Sequence, residues 1–163
     1  MTGPFIPELT DETIMIYKFS VLLTLIIILF LLAKTSQAAE FKGGLIEGKL
    51  RACPGSPNCV NSESPMIDPI KLSNTEPEFA WSLLQQFIAE QGGKIQSKSA
   101  DYLSATFTTP VFGFTDDVEA RLDLVSKVIH LRSASRVGYY DFGANKRRLQ
   151  SIIKAMNLEL HSS

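Results

Sequence analysis

The sequence predicts an α+β fold: an antiparallel sheet of about four strands with two helices on one face, preceded by an N-terminal hydrophobic helix. Three patterns carry that reading. Ala80, Leu83, Leu84, Phe87 and Ile88 recur at helical spacing. Asp117 to Leu124 alternates without error, with Val118, Ala120, Leu122 and Leu124 on one side and Asp117, Glu119, Arg121 and Asp123 on the other. A second helical stripe follows in Leu149, Ile152, Ile153 and Met156. A helix, a run of strands and a helix pack most simply as two layers, with the charged side of the sheet turned outward.

The first element is a leader, assigned to residues 1–38. Phe19 to Ala33 carries no charge, lies between Lys18 and Lys34, and is followed by small polar residues. Ser36 and Ala38 suit the third and first positions before a signal-peptidase cut. The apolar core is shorter than the roughly 20 residues that span a bilayer, which favours cleavage. Snorkelling of Lys18 and Lys34 leaves a retained anchor open. Glu8, Asp11 and Glu12 make an acidic lead-in where export signals are basic, so Met15 is a candidate true start. Either way the rest of the chain is expected beyond a membrane, in the periplasm or anchored in the inner membrane facing it.

Residues 39–74 read as an extended segment around CPGSPNC, and 75–163 as the α+β domain. Cys53 and Cys59 are the chain's two cysteines. In an oxidising compartment they read as a disulfide closing a short ring rich in turn formers. Zinc would want four ligands and no histidine lies nearby, so no metal is expected. A redox-active pair would more often be spaced C-x-x-C. A lipid-bearing Cys53 fits poorly with Arg51 and the distance from the apolar run.

Thr75 and Glu78 form a capping-box pattern, Pro77 suits a first helical turn, and Gly92-Gly93 ends the helix. Trp81 flanks its apolar face. Strands follow at Lys94 to Lys98 and Tyr102 to Thr109, stopped by Pro110. The strand from Asp117 to Leu124 turns at Val125 to Val128 and returns through Val128 to Arg136. Matching apolar to apolar pairs Leu124 with Ile129 and Leu122 with Leu131. That register sets Asp123 opposite His130, Asp117 opposite Arg136, and Arg132 facing Arg121 near Glu119. The chain then turns through Asp141 to Asn145 into the last helix, with His161 in a frayed tail.

Three blocks, CPGSPNCVNS, DDVEARLD and RSASRVGYYDFGANKRR, occur in the order found in domain of unknown function family 1499, a family of bacteria and plastids. The chain resembles that family from about Leu50 to Ile153, with Tyr139, Tyr140 and Phe142 as local variants. The resemblance implies export or membrane attachment, as in many members, and implies no activity.

A net charge of -1 gives no global field for nucleic acid, and no nucleic-acid partner is expected. Nor does a phosphate-binding loop, dinucleotide fingerprint or H-E-x-x-H motif occur, so no cofactor is expected. The main expectation is a non-catalytic domain that binds a small anionic ligand or partner through a charged cleft. The candidate residues are Asp117, Glu119, Arg132, Ser135, Arg136, Asp141, Asn145 and Arg147. Arg132 and Arg136 share a strand face, and the last helix starts just beyond, so two guanidinium forks and a helix N-terminus could converge on one phosphate or carboxylate. Lys146, Arg147 and Arg148 oppose the helix dipole unless an anion compensates them.

Two other readings stand beside it. In a structural envelope protein the same charges form a cross-strand ionic lattice, and Asp141 and Asn145 are turn and cap residues. In a hydrolase Asp117 and Glu119, on one face, would be the working carboxylates. Asp116 and Asp117 face opposite ways and cannot share a proton. His130 lies across the strand from Ser133 and Ser135, which disfavours a Ser-His pair.

Overall fold

The computed structural model describes residues 11–35, 43–110 and 113–162. Two compact units divide at Ala38 and Ala39. The first is the helix α1 (Asp11–Thr35). Its stretch Asp11–Leu29 is long and apolar enough to cross a membrane. The candidate cleavage positions Ser36 and Ala38 lie outside the described residues.

The second unit runs β1 (Cys59–Asn61), β2 (Ile70–Lys71), α2 (Pro77–Glu90), β3 (Lys94–Lys98), β4 (Tyr102–Thr108), β5 (Thr115–Asp123), β6 (Val128–Ser135) and α3 (Ala144–Ser162). All pairings are antiparallel, in the order β1-β6-β5-β4-β3, with β2 also on β6. The sheet therefore has six strands where about four were expected. The two additions are three and two residues long, too short to show a period of two. Both come from the 39–74 segment, which belongs to the sheet and is more than an extended lead-in. Cys53 and Cys59 are joined by a disulfide.

The core fills one face. Val118, Ala120, Leu131, Ile129 and Leu103 from the sheet meet Ala80, Trp81, Leu84 and Ile88 of α2 and Leu149, Ile152, Met156 and Leu160 of α3. Every member lies between Val60 and Leu160, so this unit has a core of its own, the condition for folding as an independent domain. Gly93 allows α2 to turn into β3, since a Cβ there would lie 2.7 Å from Ile88 and Phe107.

Several local expectations are corrected. The α2 capping box is not made: Glu76 is the N-cap, extended at φ -61 and ψ 129, with no side-chain cap. A Thr75 cap would need Glu76 to be helical, and the residue before a proline disfavours that. His161 lies inside α3, with Nδ1 2.7 Å from the Asn157 carbonyl, so the helix outlasts the expected fraying point.

The β5–β6 register is shifted by two residues: Leu122 pairs with Ile129, Ala120 with Leu131, Glu119 with Arg132 and Arg121 with His130. A slip of two keeps every side chain on its face, so hydrophobic pattern cannot detect it. Turn chemistry decides. The turn is Leu124 to Lys127, where the Asp123 carboxylate accepts the Ser126 N–H at 2.9 Å and Lys127 takes φ 52.

Candidate functional site

The alternation of β5 and β6 divides their charges between the two sheet faces. On the face away from the helices, Asn61, Arg132, Glu119 and Ser104 form one row across four strands. Arg132 Nη1 donates to Glu119 Oε2 at 2.9 Å. Glu119 Oε1 accepts from the Tyr102 hydroxyl at 2.7 Å and the Gly44 amide at 3.4 Å. One register step away, Arg136 grips Asp117 with two parallel bonds, Nε to Oδ2 at 2.9 Å and Nη2 to Oδ1 at 2.8 Å. Arg121 Nε completes the lattice, 2.7 Å from Glu63.

This face is not the outward, wetted surface that alternation suggested. Asp117, Glu119 and Arg132 are 2%, 1% and 6% exposed. The chain from Gly44 to Asn61 crosses the row, with the Gly44 amide on Glu119 and the Arg51 carbonyl on Asn61 Nδ2 at 3.1 Å. Burial pushes the Asp117 carboxyl above its usual range even though Arg136 pulls it down, and Asp117 in turn raises Arg136. Burial and the neighbouring Glu119 raise the Tyr102 phenol, which stays a donor. One polar atom stands out: among the described residues, Arg132 Nε is the buried side-chain N or O atom left without a hydrogen-bond partner.

On the helix face a second network ties α3 to the sheet. Arg148 Nη2 meets Asp116 Oδ2 at 2.7 Å, and its guanidinium carbon lies 4.6 Å from the Phe107 ring centre. Ser135 Oγ donates to Asp116 Oδ1 at 2.6 Å. Fully buried Asn145 is the hub. Its Nδ2 donates to the Asn58 carbonyl, Ser135 Oγ and Asp141 Oδ2, while its Oδ1 accepts from Ser133 Oγ and Arg148 Nη1. Asp141 also accepts the Gly143 and Asn145 amides at 2.9 and 2.8 Å. Burial disfavours the charged Asp141, but these donors outweigh it and hold its carboxyl below the usual range.

The eight candidate residues thus fall into three places. Asp117, Glu119, Arg132 and Arg136 share the face away from the helices. Ser135, Asp141 and Asn145 join the helix-face hub. Arg147 is exposed and donates to the Phe142 carbonyl at 2.7 Å. The expected convergence of Arg132, Arg136 and the last helix on one anion is not what the fold makes. The period of two that lifts the arginines off the apolar face also lifts them away from the helix packed against it. His130 faces Arg121 in place of Asp123, and its Nδ1 lies 3.3 Å from Ser62 Oγ.

The side chains of both networks, the disulfide loop and most of α3 fall within residues 49–156, which match the model of a family described as protein of unknown function, DUF1499. The chain belongs to the DUF1499 family. No match was found among curated proteins or among solved structures.

A hollow of about 660 Å³ opens in the DUF1499 domain beside the buried row, lined by Lys49, Asn61, Glu63, Ser64, Tyr139 and the disulfide loop. Asn61 connects the two features: it lines the hollow and is the register partner of Arg132. Sequence reasoning missed Asn61, Glu63 and Tyr102; the segment 44–63 that carries the first two has no periodic pattern to place it. It named Arg148 only among the cations that oppose the helix dipole and did not pair it with Asp116, although a signal existed. Asp116 precedes Val118, Ala120 and Leu122 on the apolar face, and Arg148 lies four residues before Ile152 in the apolar stripe of α3. Two opposite charges, each on an apolar face, invite pairing.

Proposed function

We propose that the DUF1499 domain of this chain works beyond a membrane, exported or held by α1, as a non-catalytic module that binds a small anionic ligand in the hollow beside Asn61 and Arg132. The observation that carries the reading is the buried Arg132 Nε without an acceptor. A buried donor left unmade is costly, and in a native fold it calls for an oxygen from water or ligand. A hollow in the size range of small-molecule sites adjoins it through Asn61, and Lys49 on its wall adds a positive charge. For the address, α1 and the disulfide point the same way.

The hydrolase reading is less well supported, because Glu119 is occupied by Arg132 and Tyr102, and Asp117 by the Arg136 fork. A general acid or base needs a proton path to substrate, and these pairs would have to open first. The structural reading keeps one specific observation in its favour: Asp116, Asp117 and Glu119 are each closed by an arginine.

Thermal shift and calorimetry with inorganic phosphate, a phosphate monoester and a dicarboxylate decide between binding and structure. A ligand at 100 times its Kd should stabilise the domain by about 2.7 kcal/mol. The paired replacement Glu119→Met with Arg132→Met removes the donor without stranding a charge and should abolish that gain. A wild-type domain that responds to none of the three anions, or a paired variant that responds equally, refutes the anion-binding reading.

A further inference from the structure

One end of the sheet carries a feature that neither network uses. The loop after β6 presents Tyr139, Tyr140 and Phe142 at 73%, 61% and 79% exposure. Tyr140 and Phe142 meet edge to face with ring centres 5.1 Å apart. Isolated exposed apolar residues are ordinary, but three aromatic rings within four positions form a patch that normally has an occupant.

The loop that presents them is firmly built. Asn58 Nδ2 holds the Gly138 carbonyl at 2.6 Å, the Asp141 carboxylate holds the Gly143 amide, and Arg147 holds the Phe142 carbonyl. Phe142 itself sits at φ 55, a left-handed conformation that a phenylalanine rarely adopts. Backbone strain and several hydrogen bonds therefore keep these rings directed out of the protein's own core.

The charges beside the rings have one sign. Lys146 and Arg147, in the first turn of α3, are both exposed. Asp141, the carboxylate in the same loop, is consumed by internal N–H donors. Cations at a helix N-terminus oppose the macrodipole, so an external anion there would relieve a standing cost. Tyrosine rings with adjacent Lys and Arg are the composition that settles at a lipid headgroup layer, aromatic bodies among the upper acyl chains and cations on the phosphates.

We propose that Tyr139, Tyr140 and Phe142, with Lys146 and Arg147, form a docking surface for an anionic bilayer. A membrane is the occupant favoured over a soluble partner because the same chain carries α1, a helix long and apolar enough to cross one. Where α1 is retained, the tether raises the local concentration of bilayer, and a weak rim suffices to dock the domain. The surface is separate from the proposed ligand hollow except for Tyr139, which lines both.

The test uses residues 39–163, which hold a complete core, expressed with the disulfide formed. Sedimentation with vesicles of phosphatidylcholine alone and of phosphatidylcholine with phosphatidylglycerol should show binding to the anionic vesicles only, weakened by salt. Tyr140→Ser with Phe142→Asn leaves Tyr139 in place, and asparagine tolerates the left-handed backbone. That variant and Lys146→Glu, which leaves the Arg147 bond to the Phe142 carbonyl in place, should each lower binding about tenfold or more. Circular dichroism of both variants should match wild type, because every side chain changed is exposed. No binding to anionic vesicles, equal binding to neutral ones, equal binding by the variants, or binding to peptidoglycan sacculi in place of vesicles would each overturn the proposal.

Discussion

The two faces of the β5–β6 hairpin solve the same problem in different ways. Both bury carboxylate–arginine pairs, at 8%/15% side-chain exposure for Asp116 and Arg148 and 1%/7% for Glu119 and Arg132. On the helix face the pair is embedded in hydroxyls, amides and a backbone carbonyl that all converge on Asn145. On the other face the pairs lie strand to strand, with the buried Arg132 Nε left without a partner among the described residues. The helix-face charges are anchors, fastening α3 and the disulfide loop to the sheet. The opposite face has the less complete hydrogen bonding, which is where a ligand can still contribute.

The largest expected effect comes from breaking the anchor. Asn145→Ala removes both ends of a buried amide and takes one partner each from Ser133, Ser135, Arg148 and the Asn58 carbonyl, so it should cost about 3 kcal/mol. Urea titration should show a lower midpoint with an unchanged slope. A sharper form compares paired replacements. Glu119→Met with Arg132→Met should be near neutral, because removing two desolvated charges together offsets the partner lost by the part-buried Tyr102 hydroxyl. Asp116→Val with Arg148→Met should destabilise by about 2 kcal/mol or more, because the hydroxyls of Ser133 and Ser135 lose partners that no apolar residue replaces. Equal outcomes on the two faces would erase the distinction between anchor and site.

A smaller effect is expected at the loop that the anchor holds. Cys53→Ser with Cys59→Ser should cost about 2 kcal/mol in the chain-entropy model of a short ring. In the Asn145→Ala background the loss should be smaller, because one of the bonds that fix the loop at Asn58 is then gone. Strict additivity of the two losses in urea titrations would show that the loop and the hub are independent.

How much of this was legible in the chain follows from what periodicity can encode. The strands β3 to β6 and both helices of the domain were readable because alternation and helical stripes extend over five or more residues. Register was not, since a shift of two residues preserves the pattern, and the deciding groups were Asp123, Ser126 and a left-handed Lys127. Burial of Asp117 and Glu119 was not legible either, because the covering arm from Gly44 to Asn61 has no period of its own. The candidate site was half readable: Asp117 with Arg136 and Glu119 with Arg132 were named as partners, while their separation from Asn145 was already implied by the odd and even positions of β6. Register itself can be tested, since Asp123→Ala removes the turn cap and should cost about 1 kcal/mol. An unchanged urea midpoint would show that the turn does not set it.

The smallest expected effect is a pH dependence on the face away from the helices. Burial, reinforced by Arg121, lowers the His130 ring below its usual 6.5. The unfolded chain therefore takes up a proton first as pH falls through 6.5, and the folded state loses stability over that range. The ring is partly exposed, so solvent screening keeps the loss small. Asp117, raised by burial, works with the opposite sign, because its folded form holds a proton more readily, but it does so nearer the carboxylate range. Thermal unfolding from pH 7.5 to 5.5 should show a shallow decline that His130→Gln flattens. A decline of the same slope in that variant would place the titrating group elsewhere, and would remove His130 from the electrostatics of the face that carries Arg132.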